Sequence, residues 1–318
     1  MLAIRVVAGA LLMGLLGMGA GIVSAQDYPT KQIRIITGGA GGGSDFNARQ
    51  AAIAIGSLGQ TVVVDNRPSL LVGEAGAKNA PDGYNLTVHG ASLWLVTFLQ
   101  KMPYDVPRDF APISLMSREI MVTAVHPSLP VKSVKELLAL AKARPGELTY
   151  ATSTPGGPAM LGMELLKAMS GINMLSVPYK DTRAAITAVF AGESQLTIGD
   201  LGLVVPLARQ GRLRSLAVTS LDASTLAPGM PTMAESGLPG FEVTGVTAVW
   251  APAKTPPAIL NRLSQEVVRY LNRPDVKEKF LGAEMEVVAS GPDGLQTRLK
   301  SDVVKWGKVF ADAGIKPQ

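Results

Sequence analysis

A strand, a glycine-rich loop and a helix start follow one another at residues 33–50, and this stretch most constrains what the chain can fold into. Residues 33–36 form an apolar, β-branched run that predicts a buried strand. Residues 38–43 include five glycines, and Ser44 or Asp45 is predicted to cap the helix that follows. Glycines let backbone N–H groups approach a ligand, and the first N–H groups of a helix lack intrahelical partners. The stretch therefore predicts an anion site.

This loop departs from the two common nucleotide-binding motifs. A P-loop requires Lys followed by Ser or Thr after its last glycine, where this chain has Ser44 and Asp45. A dinucleotide site requires a third glycine where Ser44 stands, although Asp65 ends the next strand where a ribose-binding acid is expected. A dinucleotide-binding oxidoreductase therefore stays open as a less favoured alternative, as does a loop that only makes a tight turn.

Residues 1–25 have the pattern of a secretory signal peptide. Arg5 is the single charge, an apolar run covers residues 6–23, and small residues precede Gln26. An uncleaved membrane anchor is the alternative. The chain contains no cysteine, which excludes disulfides, thiolate metal sites and a lipid-modified cysteine. We expect a soluble periplasmic protein after removal of the signal peptide.

Composition favours a small acidic ligand over nucleic acid. The chain has 30 Lys+Arg against 25 Asp+Glu, and the basic residues form no run that could follow a phosphate backbone. His89 and His126 each end an apolar strand, where histidine is typically a packed or turn residue. No metalloprotease, hydrolase-elbow or Ser-x-x-Lys motif is present. We therefore predict no catalytic residues, no metal and no cofactor.

The order of predicted elements indicates an α/β fold with two lobes. Residues 33–89 read as β-α-β-α-β, which implies a parallel sheet covered by helices. A second βαβ-like unit follows, and the chain beyond residue 255 is predicted to be helical. We predict lobe 1 at residues 26–125 plus 248–318 and lobe 2 at residues 126–247, with the ligand in the cleft between them.

A second loop, residues 152–157, repeats the pattern of the first. A short strand precedes it, its residues are small or carry hydroxyls, and a helix follows with Pro158 suited to its first position. Ser, Thr and Gly before a helix are also ordinary capping residues. One such loop in each lobe can hold a carboxylate between backbone N–H groups.

The chain resembles the periplasmic receptors of tripartite tricarboxylate transporters, the Bug-type receptors, over nearly all of its predicted mature length. The stretches that carry the resemblance are 28–34 (YPTKQIR), 41–45 (GGGSD), 62–68 (VVVDNRP), 80–84 (APDGY), 103–105 (PYD), 109–113 (DFAPI), 127–137 (PSLPVKSVKEL), 177–180 (VPYK), 211–219 (GRLRSLAVT) and 231–240 (PTMAESGLPG). The resemblance implies a type II periplasmic binding protein fold, capture of a small carboxylate without a chemical step, and delivery to a membrane permease. A ligand-sensing partner of a membrane signalling protein is an alternative with the same fold. A monomer is expected.

Ligand contacts are predicted from both loops and from three further residues. They are Thr37, Gly38, Gly39, Ala40, Gly41, Gly42, Gly43 and Ser44; Thr152, Ser153, Thr154, Gly156 and Gly157; and Ser92, Tyr179 and Asp200. The family's first loop usually carries prolines and an aromatic residue, where this chain has residues 37–40 (TGGA), and the loop after Pro68 is shorter. We therefore expect the specificity of this chain to differ from that of its relatives.

Overall fold

The computed structural model describes residues 28–153, 155–312 and 314. The predicted signal peptide and Thr154 lie outside the described residues. The strands are β1 (Ile33–Thr37), β2 (Val62–Asn66), β3 (Asn85–Gly90), β4 (Phe110–Val125), β5 (Thr149–Thr152), β6 (Leu175–Pro178), β7 (Leu196–Asp200), β8 (Arg214–Val218), β9 (Thr244–Pro252) and β10 (Met285–Ser290). The helices are α1 (Gly43–Gly56), α2 (Ser69–Ala77), α3 (Ser92–Leu95), α4 (Val106–Asp109), α5 (Val134–Ala143), α6 (Pro158–Ser170), α7 (Thr182–Phe190), α8 (Leu201–Arg209), α9 (Pro257–Leu271), α10 (Pro274–Gly282) and α11 (Pro292–Asp312).

The strands form a mixed sheet with the order β2-β1-β3-β9-β4-β7-β5-β6, and β8 and β10 also pair with β4. β1 lies parallel to both β2 and β3, which confirms the predicted parallel β-α-β-α-β unit. β5 lies parallel to β6 and β7 in the second half of the sheet. Helices cover the faces of both halves, so the strands can be apolar on both sides.

β4 joins the two halves of the sheet. From Phe110 to Ile120 it pairs with β9, and from Met121 to Val125 it pairs with β7 and β8. The chain returns to the first half at Thr244, where β9 begins opposite Ile120. β4 therefore pairs with strands of both halves of the sheet. The predicted lobe boundaries at 125/126 and 247/248 lie a few residues beyond the positions where β4 changes partner and where β9 begins. These boundaries stay a prediction.

Several predicted elements differ from the structure. α1 begins at Gly43 with Gly42 as its N-cap, so the predicted cap at Ser44 or Asp45 is wrong. The Asp45 side chain instead accepts a hydrogen bond from the N–H of Gly41, four residues back. The C-terminal part is not entirely helical, because β10 pairs with residues 115–119 of β4. The sequence also offered no prediction for α8, whose interior contains Pro206.

Aromatic packing fixes α3 beneath the cleft. Trp94 on α3 and Trp250 on β9 are both buried, with ring centroids 5.7 Å apart in an edge-to-face arrangement. The indole Nε1–H of Trp94 donates to the buried carboxylate of Asp302 on α11. This hydrogen bond and the buried ring area hold α3 against β9 and α11. Among the described residues, none of the helices is both long enough and apolar enough to cross a bilayer.

Helix α2 packs so closely on β3 that Gly76 has no free space for a Cβ atom. A Cβ atom at Gly76 would lie 2.9 Å from the ring of Phe110 and still closer to the Thr87 hydroxyl. We predict that Gly76→Ala lowers the free energy of unfolding by about 1–3 kcal/mol, because the buried neighbours must move. Gly56→Ala is the matched control: a Cβ at that helical position meets no atom within 4 Å.

The control variant should be as stable as the original or more stable by up to about 1 kcal/mol, since alanine favours the helix. Urea unfolding of both variants gives the two values. Equal stability of Gly76→Ala and Gly56→Ala would contradict the packing of α2 on β3.

Candidate functional site

A cavity of about 740 Å³ lies where the two halves of the sheet meet. Its walls come from the loop after β1, the end of β3, the middle of β4, and the first turns of α1, α6, α7 and α8. Each of these helices therefore presents its N-terminus to the same space. Unpaired first-turn N–H groups and the helix dipoles favour a negatively charged ligand in this cavity.

Eleven of the predicted contact residues line this cavity. They are Gly38, Gly39, Ala40, Gly41, Gly42, Gly43, Ser44, Ser92, Ser153, Gly157 and Asp200. The structure therefore brings the two predicted loops together across the cleft. Whether these residues bind ligand stays a prediction.

Four predicted residues do not belong to the wall. Thr37 and Thr152 are buried in the last positions of β1 and β5, and the hydroxyls of both lack a hydrogen-bond partner. Gly156 packs against the backbone of Val96, from which an added Cβ would be 3.1 Å. The Tyr179 hydroxyl donates to Glu193 instead of facing the cavity. Thr154, the remaining predicted residue, lies outside the described residues.

Asp45 and Asn66 hold the glycine loop in place. The Asp45 carboxylate accepts from the Gly41 N–H at 3.0 Å and from the Asn66 amide at 2.9 Å, and it pairs with Arg49. The Asn66 amide also donates to the Gly38 carbonyl at 2.7 Å. Burial alone would raise the pKa of Asp45, but these donors together hold it below its usual value. Asp45 is thus a buried anchor of the loop.

The N–H groups nearest the cavity stay available. The N–H group of Gly41 donates to Asp45. Gly42, Gly43 and Ser44 lie at the N-cap and in the first turn of α1, so the helix has no carbonyl group four residues earlier to accept from their N–H groups. Gly42 has φ −91° and ψ 174°, an extended conformation that any residue can adopt. Its N–H donates to no acceptor in the described part of the chain.

Lobe 2 contributes two helix starts. α6 follows Gly157, its N-cap, and has Pro158 at its first position, as predicted. α7 follows Asp181, whose side chain caps the helix by accepting from the Ala184 N–H at 2.8 Å. The hydroxyls of Ser153 and Thr182 lie 3.2 Å apart and link the two starts. Polar hydrogen-bonding groups therefore face the glycine loop from the opposite lobe.

The charged side chains of the wall are mostly acidic. Glu119 on β4, Asp200 at the end of β7 and Glu284 before β10 line the cavity, and Arg183 at the start of α7 is the single Lys or Arg in its described wall. Burial, with a contribution from the nearby Asp200, raises the pKa of the Glu119 carboxyl to about 7. Burial also raises the pKa of Asp200, against the effect of Arg183. In the described ranges no three His, Asp or Glu side chains are arranged to hold a metal ion.

His89 lines the cavity as a neutral imidazole. Its Nδ1 accepts from the Gly90 N–H at 2.7 Å, so Nε2 carries the proton and donates to the Ser69 carbonyl at 3.1 Å. Burial lowers the pKa of His89 below its usual value. Both ring nitrogens are engaged, which confirms the prediction of a packed residue.

Sequence reasoning missed Glu119, Arg183 and Glu284. Glu119 is one of several polar residues in the long strand β4, and no local pattern indicates that its side chain faces a cavity. Arg183 could have been found, because Asp181 is a typical N-cap residue after a short strand and places Arg183 in the first turn of the helix. Glu284 precedes the unpredicted β10 and depends on that strand for its position.

Comparisons with known proteins agree on one family. The model of the tripartite tricarboxylate transporter family receptor matches residues 47–315. BugT of Bordetella pertussis (strain Tohama I) is 35% identical over 302 residues, which cover 92% of this chain and 93% of BugT.

Solved structures agree on the fold. Rpa4515 of R. palustris, determined with adipate, superimposes with a TM-score of 0.82 at 32% identity and covers 92% of this chain and all of that one (100%). The periplasmic binding protein BugD gives a TM-score of 0.78 at 29% identity, with 92% and 100% coverage. The fold is therefore the two-lobed α/β type II periplasmic binding protein fold, with a ligand cleft between the lobes. The sequence resemblance is confirmed: the chain belongs to the receptor family of the tripartite tricarboxylate transporters.

Proposed function

We propose that this protein is a periplasmic solute receptor that binds a small carboxylate between its lobes and delivers it to the permease subunits of a tripartite transporter. The observation that carries the proposal is the convergence of the α1, α6, α7 and α8 N-termini on one cavity. Backbone N–H groups at these positions favour an anion without requiring a basic side chain.

The adipate bound to Rpa4515 supports the ligand class. That protein is 32% identical over 92% of this chain, and adipate is a short dicarboxylate. A cavity of about 740 Å³ is in the range that holds small organic ligands. The ligand contacts we propose are the predicted residues of both loops that line the cavity, together with Ser92 and Asp200.

The dinucleotide alternative has less support. Asp65, the acid that a ribose would require, pairs with Arg34 and Arg67 and is not part of the cavity wall. His89, which a hydride-transfer or hydrolytic mechanism would use as a base, has both nitrogens engaged. These contacts favour binding without a chemical step. Export through residues 1–25, a monomeric state and the lobe division at 126–247 belong to the same proposal.

A thermal-shift screen of mono-, di- and tricarboxylates tests the proposed function. A ligand that binds only the folded state stabilises it by about 2.7 kcal/mol at a concentration of 100 times Kd. We expect at least one carboxylate to raise the melting temperature in a concentration-dependent way. Absence of any stabilising carboxylate would contradict the proposal.

The role of the first loop is tested at Gly42 with one substitution that removes its N–H group and one that keeps it. Gly42→Pro removes the donor, whereas Gly42→Ala keeps it, and an added Cβ meets only the Gly39 carbonyl at 3.7 Å. We predict that Gly42→Pro weakens binding of the carboxylate found in the screen by about tenfold or more, because a charge-assisted hydrogen bond is lost.

Gly42→Ala should bind with nearly the original affinity, as measured by isothermal titration calorimetry. If both variants bind as the original protein does, the first loop is not the anion site.

A further inference from the structure

The carboxyl group of Glu119 lies at the same helix start as the proposed anion site. An added Cβ at Gly43, the first residue of α1, would collide with the Glu119 Oε1 atom and lie 3.2 Å from the carboxyl carbon. An added Cβ at Gly245 on β9 would lie 2.8 Å from Oε2. Two glycines therefore leave the space that this carboxyl group occupies, beside the first turn of α1.

Neither oxygen of Glu119 has a partner within the part of the chain that the structure describes. The carboxyl group forms no hydrogen bond and no ion pair there. The preceding residue on β4, Arg118, pairs with Glu286 on β10 instead. The Glu119 carboxyl therefore stays available to a molecule in the cavity.

Most of the charges near Glu119 are negative. Asp200 lies opposite Met121, two residues from Glu119 on β4, so the two acidic side chains point to the same face of the sheet. Burial and the charge of Asp200 raise the pKa of the Glu119 carboxyl to about 7. Arg183, the single Lys or Arg of the described wall, acts on Asp200. The other charged or titratable groups of that wall are His89, which is neutral, Asp181 and Glu284.

A ligand carboxylate held by the α1 N–H groups would lie next to the Glu119 carboxyl group. Two adjacent carboxylates cannot both stay ionised near neutral pH, and such a pair retains one proton. The shared proton turns the contact from a repulsion into a strong O–H···O⁻ hydrogen bond, in which the neutral carboxyl group donates.

We propose that Glu119 binds the ligand in its protonated form and donates a hydrogen bond to the carboxylate that the α1 N–H groups hold. Above about pH 7 the free protein has lost this proton, so binding takes one up from the solvent onto Glu119. No bond of the ligand is made or broken. This inference rests on the proposed function and adds a side chain and a proton to its site.

The affinity for the carboxylate should fall as the pH rises. Glu119 is neutral below about pH 7 in the free protein, and the bound ligand raises its pKa further. The affinity is therefore highest below about pH 7 and falls above it by up to about tenfold per pH unit. The carboxylates of the ligand titrate near about pH 4 and stay ionised throughout this range. An affinity that is constant or rises between about pH 7 and about pH 9 would contradict the inference.

Calorimetry counts the proton directly. The carboxylate that stabilises the protein most is titrated in HEPES and in Tris, two buffers that differ in ionisation enthalpy. We expect an uptake that approaches one proton per ligand at about pH 8 and is close to zero at about pH 6. Binding without proton uptake at about pH 8 would overturn this inference and leave the carboxylate receptor standing. If no carboxylate binds, the proposed function fails and this inference fails with it.

Two substitutions assign the proton to Glu119. Glu119→Gln keeps a hydrogen-bond donor but cannot titrate, so this variant should bind with an affinity that is independent of pH and without proton uptake. Glu119→Ala also removes the donor and should bind about tenfold more weakly than the original protein at about pH 6. Glu278→Gln, at an exposed position on α10, is the matched control and should keep both the uptake and the pH dependence.

The alanine variant separates hydrogen-bond donation from simple repulsion. If Glu119 only repelled the ligand, Glu119→Ala would bind at least as tightly as the original protein at every pH. Such a result at about pH 6, or proton uptake that persists in Glu119→Gln, would contradict the assignment. Circular dichroism verifies the fold of each variant, and the proton count on the unaltered protein does not depend on it.

Discussion

The structure depends on one shared strand. β4 pairs with β9 and β10 along its first part and with β7 and β8 along its last five residues. Because backbone hydrogen bonds fix the register on both sides, β4 determines which residues of the two lobes face each other. Glu119 lies opposite Gly245, and Met121 lies opposite Asp200. Glu119 and Asp200 therefore lie close to the point where the strand passes from one lobe to the other.

Two electrostatic effects of opposite sign act in this cavity. The N-termini of α1, α6, α7 and α8 stabilise negative charge, and most of that stabilisation comes from the nearest unpaired N–H groups. Glu119, Asp200 and Glu284 oppose a second anion in the same space. Glu119 lies beside Gly43, so the two effects act at the same helix start.

Local sequence patterns predicted those parts of the fold that depend on local interactions. The first strand and the start of α6 were predicted within a residue, because the β-branched run at residues 33–36 and Pro158 determine them without distant contacts. The cap of α1 was wrong because Asp45 is drawn to Asn66, 21 residues away. β10 was missed because its pairing with β4 spans most of the chain. The two loops of the cavity and Asp200 were predicted, but Glu119 and Glu284 were not, since the long-range pairing of β4 with β9 and β10 brings them to the wall.

Amide chemical shifts of ¹⁵N-labelled protein test the central claim most directly, namely that backbone N–H groups of both lobes bind one ligand. The protein is titrated with the carboxylate that stabilises it most. The account predicts that the largest shift changes occur at Gly42, Gly43 and Ser44 in lobe 1 and at Ser153 and Thr182 in lobe 2, with little change at distant glycines. Shift changes confined to one lobe, or centred outside the cavity, would contradict it.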